Sequence, residues 1–169
     1  MTSAAEDNRL QERDAVLQAH AEDPAVAALQ KQLPGTLLDA KFALSELTLT
    51  VSRESIVDAC RAVRAAGYNF MSDLTCVDWY PNRPRFQVTY HLLSMPQKRR
   101  IRLCVFADDS DPSVESITSV WPAANFYERE VFDLFGVRFG GHPNMRRILL
   151  PEEFQGNPLR KDFPVEGHR

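Results

Sequence analysis

Two runs of strict apolar/polar alternation lie close together in the middle of this chain. Phe86, Val88, Tyr90 and Leu92 alternate with Arg85, Gln87, Thr89 and His91, and Ile101, Leu103 and Val105 alternate with Arg100, Arg102 and Cys104. A period of two is the mark of a strand with one buried face. Only Met95-Pro96-Gln97-Lys98 intervenes, which reads as a hairpin loop, and so short a link requires antiparallel neighbours. Pro81-Asn82-Arg83-Pro84 reads as a second hairpin loop, joining a preceding strand between Tyr68 and Trp79. Leu47, Leu49 and Val51 alternate with Thr48, Thr50 and Ser52 in a further strand. Between these strands the period changes. Ile56, Cys60 and Val63, with Ala59 and Ala66 beside them, recur at helical spacing over about residues 54–66. Ser52 suits the N-cap and Gly67 the C-cap. The expectation is a two-layer α+β domain, its mainly antiparallel or mixed sheet covered by helices on one face and wet on the other.

Three regions follow. Residues 1–35 form a helical or partly disordered N-terminal region. Residues 1–23 carry six acids (Glu6, Asp7, Glu12, Asp14, Glu22, Asp23) against two bases (Arg9, Arg13), which fits a frayed tail or a surface helix. A second helix is expected over 25–33, before Pro34-Gly35. Residues 36–136 are the α+β core. Residues 137–169 carry Pro143, Pro151, Pro158 and Pro164 with Gly140, Gly141, Gly156 and Gly167, too many breakers for long elements. Yet Phe139, Ile148, Leu149, Leu150, Phe154, Leu159 and Phe163 are too apolar for a free tail. This irregular segment must lie on something, either its own domain or a partner protein.

Charge and motif content narrow the function. The 20 Lys and Arg against 23 Asp and Glu give a net charge of −3, the wrong sign for a dedicated nucleic-acid binder. No apolar run approaches the ~20 residues of a membrane span. The acidic start resembles neither a secretory signal nor a transit peptide. Cys60, Cys76 and Cys104 are odd in number and far apart, so a reducing compartment is expected. His20, His91, His142 and His168 are scattered and no Cys-x-x-Cys occurs, so neither a metal site nor an iron–sulfur cluster is expected. No carboxylate pair, hydrolase elbow or phosphate loop stands out. Cys104, alternating with arginines, could have a lowered pKa and a redox role. Arg146-Arg147 and Arg160-Lys161 could bind phosphate or nucleic acid, or carboxylates of a protein partner. A binding or structural subunit is favoured over a free enzyme.

The helix expected at 125–135 carries an anomaly. On a wheel, Tyr127, Val131, Leu134 and Phe135 form an apolar arc, with Arg129, Glu130 and Asp133 opposite and Arg129 one turn from Asp133. Glu128 falls between Phe132 and Phe135. Either it reaches water at the helix border, or it is paired or neutral inside, with Arg138, Arg146 and Arg147 as candidate partners.

The same residues carry a resemblance. Glu128-Arg129-Glu130, Asp133-Leu134-Phe135-Gly136, Gly141-His142-Pro143, Arg146-Arg147-Ile148-Leu149 and Pro158-Leu159-Arg160-Lys161-Asp162-Phe163-Pro164 are similar to the signature of the C-subunit family of respiratory NADH:quinone oxidoreductase, complex I. Asp73-Leu74-Thr75, Val77-Asp78, Arg85-Phe86 and Tyr90-His91-Leu92-Leu93-Ser94 extend the match over about residues 70–164. The resemblance implies a component of the peripheral arm, on the cytoplasmic side of a bacterial inner membrane. It implies membrane association only through the complex, contact with the D subunit near the B and I subunits, and no nucleic acid. It also implies no cofactor on this chain, within a complex that uses NADH, FMN, iron–sulfur clusters and quinone. Glu128, Arg129, Glu130, Asp133, His142, Arg146, Arg147, Arg160, Lys161 and Asp162 are then structural or interfacial, none catalytic; His142 is read as a hydrogen-bonded turn residue in preference to a proton carrier. The rivals are a homologous plastoquinone-reducing, F420-dependent or hydrogenase complex, a redox enzyme using Cys104, and a nucleic-acid module.

Overall fold

In the computed structural model, which describes residues 3–164 and 166, the two central alternating runs become β4 (Phe86–Ser94) and β5 (Arg99–Ala107). They pair antiparallel, Phe86 opposite Ala107 and Ser94 opposite Arg99. β3 (Phe70–Asp78) joins the other side of β4, Asp78 opposite Phe86. β1 (Leu37–Ala43) and β2 (Glu46–Val51) form a third hairpin. It closes through Leu44 and Ser45 with φ of 52° and 60°, backbone values that Asn-Gly usually supplies. β2 lies parallel to β5, so the sheet is mixed, in the order β1-β2-β5-β4-β3.

The apolar alternates face one way. Leu47, Leu49, Val88, Tyr90, Ile101 and Leu103 meet Ile56, Ala59, Cys60 and Val63 of α3 (Ile56–Ala65) in one core. A 3-10 turn, Arg53–Ser55, precedes α3, and Ser52 bonds Ser55 Oγ instead of capping a helical N–H. Gly67, at φ 105°, follows the C-cap. The polar alternates Thr48, Thr50, Gln87, Thr89, His91 and Arg102 occupy the opposite face.

α1 (Ser3–Ala19) contacts β1 and buries little besides Leu17. α2 (Pro24–Gln32) puts Ala25, Val26 and Leu29 into the core. Asp23 caps it by accepting the Ala25 N–H, and also accepts the Tyr68 hydroxyl proton at 2.8 Å. α4 (Ala124–Phe135) packs on β3 and ends at Gly136, whose φ of 77° is the left-handed turn a helix end favours. β6 (Ser113–Glu115) and β7 (Arg138–Gly140) form a small parallel pair, so the segment after 136 opens with a strand that its breakers conceal. His168 and Gly167 lie outside the described residues.

Candidate docking segment

The C-terminal end of α4 has carbonyls with no partner inside the helix. The segment after it supplies the donors. Asn157 Nδ2 donates to Asp133 O at 2.9 Å, Arg147 Nη1 donates to the same oxygen at 3.2 Å, and Leu159 N–H donates to Leu134 O at 3.0 Å. The Asp133 side chain, fully buried, reaches back. Its Oδ2 accepts the N–H groups of Ile148, Leu149 and Leu150 at 3.0, 2.8 and 2.9 Å, and its Oδ1 accepts from Arg147. Burial alone would raise the Asp133 pKa; these donors outweigh it and hold the group below its ordinary value. Arg147 Nη2 also donates to Phe154 O and Gly156 O. Arg129 Nε and Nη2 donate to the Arg146 and Arg147 carbonyls at 3.1 and 3.0 Å. The expected Arg129–Asp133 pair is therefore replaced by Arg147–Asp133, because a buried carboxylate at the helix end is met better by convergent donors than by a neighbour one turn away whose guanidinium is already held by two carbonyls.

A second clamp ties the far end of the segment. Arg85, 3% exposed at its side chain, forms a bidentate pair with Asp78, 2.9 Å on both bonds, and reaches Asp109 at 3.0 Å and Asp162 at 2.6 Å. Arg160 pairs with Asp109 and Asp162, and the Lys161 N–H donates to Asp78 Oδ2 at 2.9 Å. Burial pushes Asp78 up, but Arg85 and the N–H groups of Lys161 and Tyr80 pull it down to about 2. The Arg85 guanidinium holds Asp162 far below the carboxylate range. Arg85, Asp78 and Asp109 were not among the expected site residues. Asp78 and Arg85 lie in the stretches that extend the family resemblance, and Arg85 also opens an alternating strand with Asp78 across a hairpin from it, whereas Asp109 has no such signal.

Glu128 has no arginine partner among the described residues, which overturns the expected pairing with Arg138, Arg146 or Arg147. It is wholly buried, Oε2 2.6 Å from Ser116 Oγ and Oε1 accepting the Ile117 N–H at 2.8 Å. Burial drives its pKa up to about 7 against those bonds. The border reading, with Glu128 in water, is excluded too. His142 sits beside it, its Nδ1 accepting the Asn144 N–H. Glu130 and the guanidinium of Arg146 are exposed with no partner among the described residues, as is the Lys161 ammonium. Cys104 is buried against Gln87 and Thr89, and burial raises its pKa, outweighing its hydrogen bonds to Thr89 and Gln87 and the charges of Arg102 and Lys41. A lowered thiol pKa there is thus incorrect.

The clamps fix backbone and polar groups and leave apolar side chains outside. Ile148, Leu149 and Leu159 are 37, 59 and 51% exposed on anchored backbone. Residues 49–169 match the family described as respiratory-chain NADH dehydrogenase, 30 Kd subunit. The chain belongs to that family. Within it, the C subunit of NADH-quinone oxidoreductase from Geobacter sulfurreducens is 43% identical over 145 residues, 85% of this chain and 90% of that one. Among solved structures, Nqo5, as a trypsin-resistant fragment (1–134), superposes with a TM-score of 0.62 at 31% identity, covering 76% of this chain and 98% of the fragment. A chain of the membrane-bound sulfane sulfur reductase, an archaeal respiratory membrane complex, superposes with a TM-score of 0.72 at 26% identity and 86% of each chain. Membership in the 30 kDa family accounts for the mixed sheet and for the signature that gathers at the α4 end. No helix among the described residues is long and apolar enough to cross a membrane.

Proposed function

We propose that this chain is a non-catalytic scaffold of the peripheral arm of a proton-translocating NADH:quinone oxidoreductase, holding the D subunit of the quinone site, with the B and I subunits nearby. It sits at the cytoplasmic face of a bacterial inner membrane and carries no flavin, cluster or quinone of its own. The observation that carries this reading is the anchored segment with Ile148, Leu149 and Leu159 turned outward. Holding that backbone in place beforehand lowers the ordering cost of association. Exposed Arg146, Lys161 and Glu130 around it suit a polar interface rim. The ten signature residues then divide into those that anchor (Glu128, Arg129, Asp133, His142, Arg147, Arg160, Asp162) and those that face the partner (Glu130, Arg146, Lys161). Residues 36–136 form the body of the folding core in this reading, joined by Ala25, Val26 and Leu29 before it and Val137 and Phe139 after it, and the rest of 137–169 is the docking segment.

A tagged pull-down from gently solubilised membranes, with mass spectrometry and an NADH:quinone assay on the eluate, tests it. Recovery of the D subunit with flavin and iron–sulfur proteins and NADH-dependent activity is expected; a solitary soluble protein would refute it. A second reading, a component of a related respiratory complex with another electron donor, is favoured by the likeness to the sulfane sulfur reductase chain. The same assembly without NADH activity would select it.

A further inference from the structure

Helix α4 buries two carboxylates and matches only one with a permanent cation. Asp133 has Arg147, whereas Glu128 has no Lys or Arg nitrogen within 4 Å among the described residues. The basic group beside it is His142, its side chain also fully buried, with Nε2 3.9 Å from Glu128 Oε2. Hydrogen bonds fix the state of that ring. The Asn144 N–H donates to Nδ1 at 3.1 Å, so Nδ1 carries no hydrogen and the ring proton sits on Nε2, which faces the Asn125 carbonyl at 3.3 Å. A second proton would set an N–H on Nδ1 against the Asn144 N–H. Burial likewise pushes the imidazole towards neutrality.

Glu128, by contrast, has a place for a proton. Ser116 Oγ lies 2.6 Å from Oε2 and 2.9 Å from Thr118 Oγ1. Protonated on Oε2, the carboxylic acid can donate to Ser116 Oγ, Ser116 can donate to Thr118 Oγ1, and Oε1 still accepts the Ile117 N–H. The acid proton, the Ser116 hydroxyl and the Ile117 N–H then each have a partner. Ionised, the carboxylate regains the Ser116 proton but leaves a whole charge in apolar surroundings without a counter-ion. The other titratable groups facing the site do not supply one. Cys60 of α3 and Tyr90 of β4 are kept neutral by burial. Arg129 is held by the Arg146 and Arg147 carbonyls, and its charge opposes protonation of His142.

We propose that Glu128 and His142 form one buried proton-binding site joining α4 to the 139–144 turn, the proton resting on the carboxyl and the imidazole held neutral beside it. Loss of the proton puts an uncompensated charge where the docking segment leaves the core, and loosens the His142–Asn144 turn there.

The test is an NMR titration of the isotope-labelled full chain from about pH 5 to about pH 9. The Glu128 carboxyl carbon is expected to titrate with a midpoint near 7, with His142 remaining the neutral Nε2–H tautomer through that step and the Asn144 amide following it. Glu128→Gln should remove the step at Asn144. His142→Asn, which keeps an acceptor for the Asn144 N–H, should move the Glu128 midpoint. A Glu128 midpoint in the ordinary carboxylate range, a His142 ring that charges over the same step, or an Asn144 step that survives Glu128→Gln would each overturn the proposal. Should Glu128→Gln not fold, the carboxyl and ring-nitrogen titrations of the unmodified chain decide it alone.

Discussion

Asp133 gathers three consecutive backbone N–H groups on one oxygen and a guanidinium on the other. Asp133→Asn keeps the shape but turns an NH2 group towards one set of donors. With hydrogen bonds to a charged group contributing ~1.5–3 kcal/mol, a loss of about 2 kcal/mol is expected from urea unfolding at unchanged m-value. A change below ~0.5 kcal/mol would mean that the donors find water instead. The carboxylates of this chain also set opposite pH dependences. Asp78 is depressed from 3.8 to about 2, so its contribution is complete above pH 3.8 and vanishes as pH falls through about 2, ~2 kcal/mol in all. Glu128 is raised from 4.5 to about 7, so its contribution is complete below pH 4.5 and vanishes as pH rises through about 7, roughly 3 kcal/mol. The unfolding free energy of the unmodified chain minus that of Glu128→Gln should therefore fall as pH rises from 4.5 to 7. A flat difference would assign Glu128 an ordinary titration. These roles were only half legible. The wheel marked Glu128 as misplaced, since an acid between two phenylalanines needs explaining. It gave no sign that Asp133, on the polar side, faces a segment folded back over it, because a wheel contains one helix and no tail.

At the scale of elements, the segment after α4 acts as that helix's C-terminal cap, and the two depend on each other at Gly136. A Cβ there would lie 2.7 Å from Asn157 Oδ1, and the residue's φ of 77° costs an L side chain ~1–2 kcal/mol. Gly136→Ala should lower the melting temperature and speed hydrogen exchange at Leu159; unchanged exchange there would separate the cap from the segment. The Arg85 clamp predicts an asymmetry. Arg85→Leu strands Asp78 in the interior and should cost ~3–5 kcal/mol, whereas Asp162 is 42% exposed and Asp162→Asn should cost ~1 kcal/mol or less and leave the Lys161 amide protected by Asp78. Equal losses for the two variants would show that Asp162, not Asp78, governs the clamp. The strands were legible in sequence because each carries its own period of two. β7 was not, since three residues beside two glycines and a proline carry no period. Nor was the parallel β2–β5 contact, which depends on where α3 returns the chain.

At the scale of the whole molecule, polar anchoring and apolar presentation are assigned to different atoms of the same residues. Ile148 and Leu149 give their N–H groups to Asp133 and keep their side chains outward. The segment can therefore be altered at its surface without being released from the core. This separates the scaffold reading from a purely internal role. Leu149→Asp combined with Leu159→Asp removes exposed apolar surface and places charge in an interface centre, where it is strongly disfavoured. The isolated chain should unfold within ~0.5 kcal/mol of the unmodified protein, as surface substitutions do. In cells the assembled complex should fall in abundance, measured by native gel and quantitative mass spectrometry, with the turnover of each remaining complex unchanged. Arg146→Ala should act in the same direction but more weakly, since its guanidinium has no internal partner to lose among the described residues. Normal abundance with lost quinone reduction would instead give the segment a direct part in the reaction. Loss of stability in the isolated double variant would mean that the Leu149 and Leu159 side chains belong to the core after all.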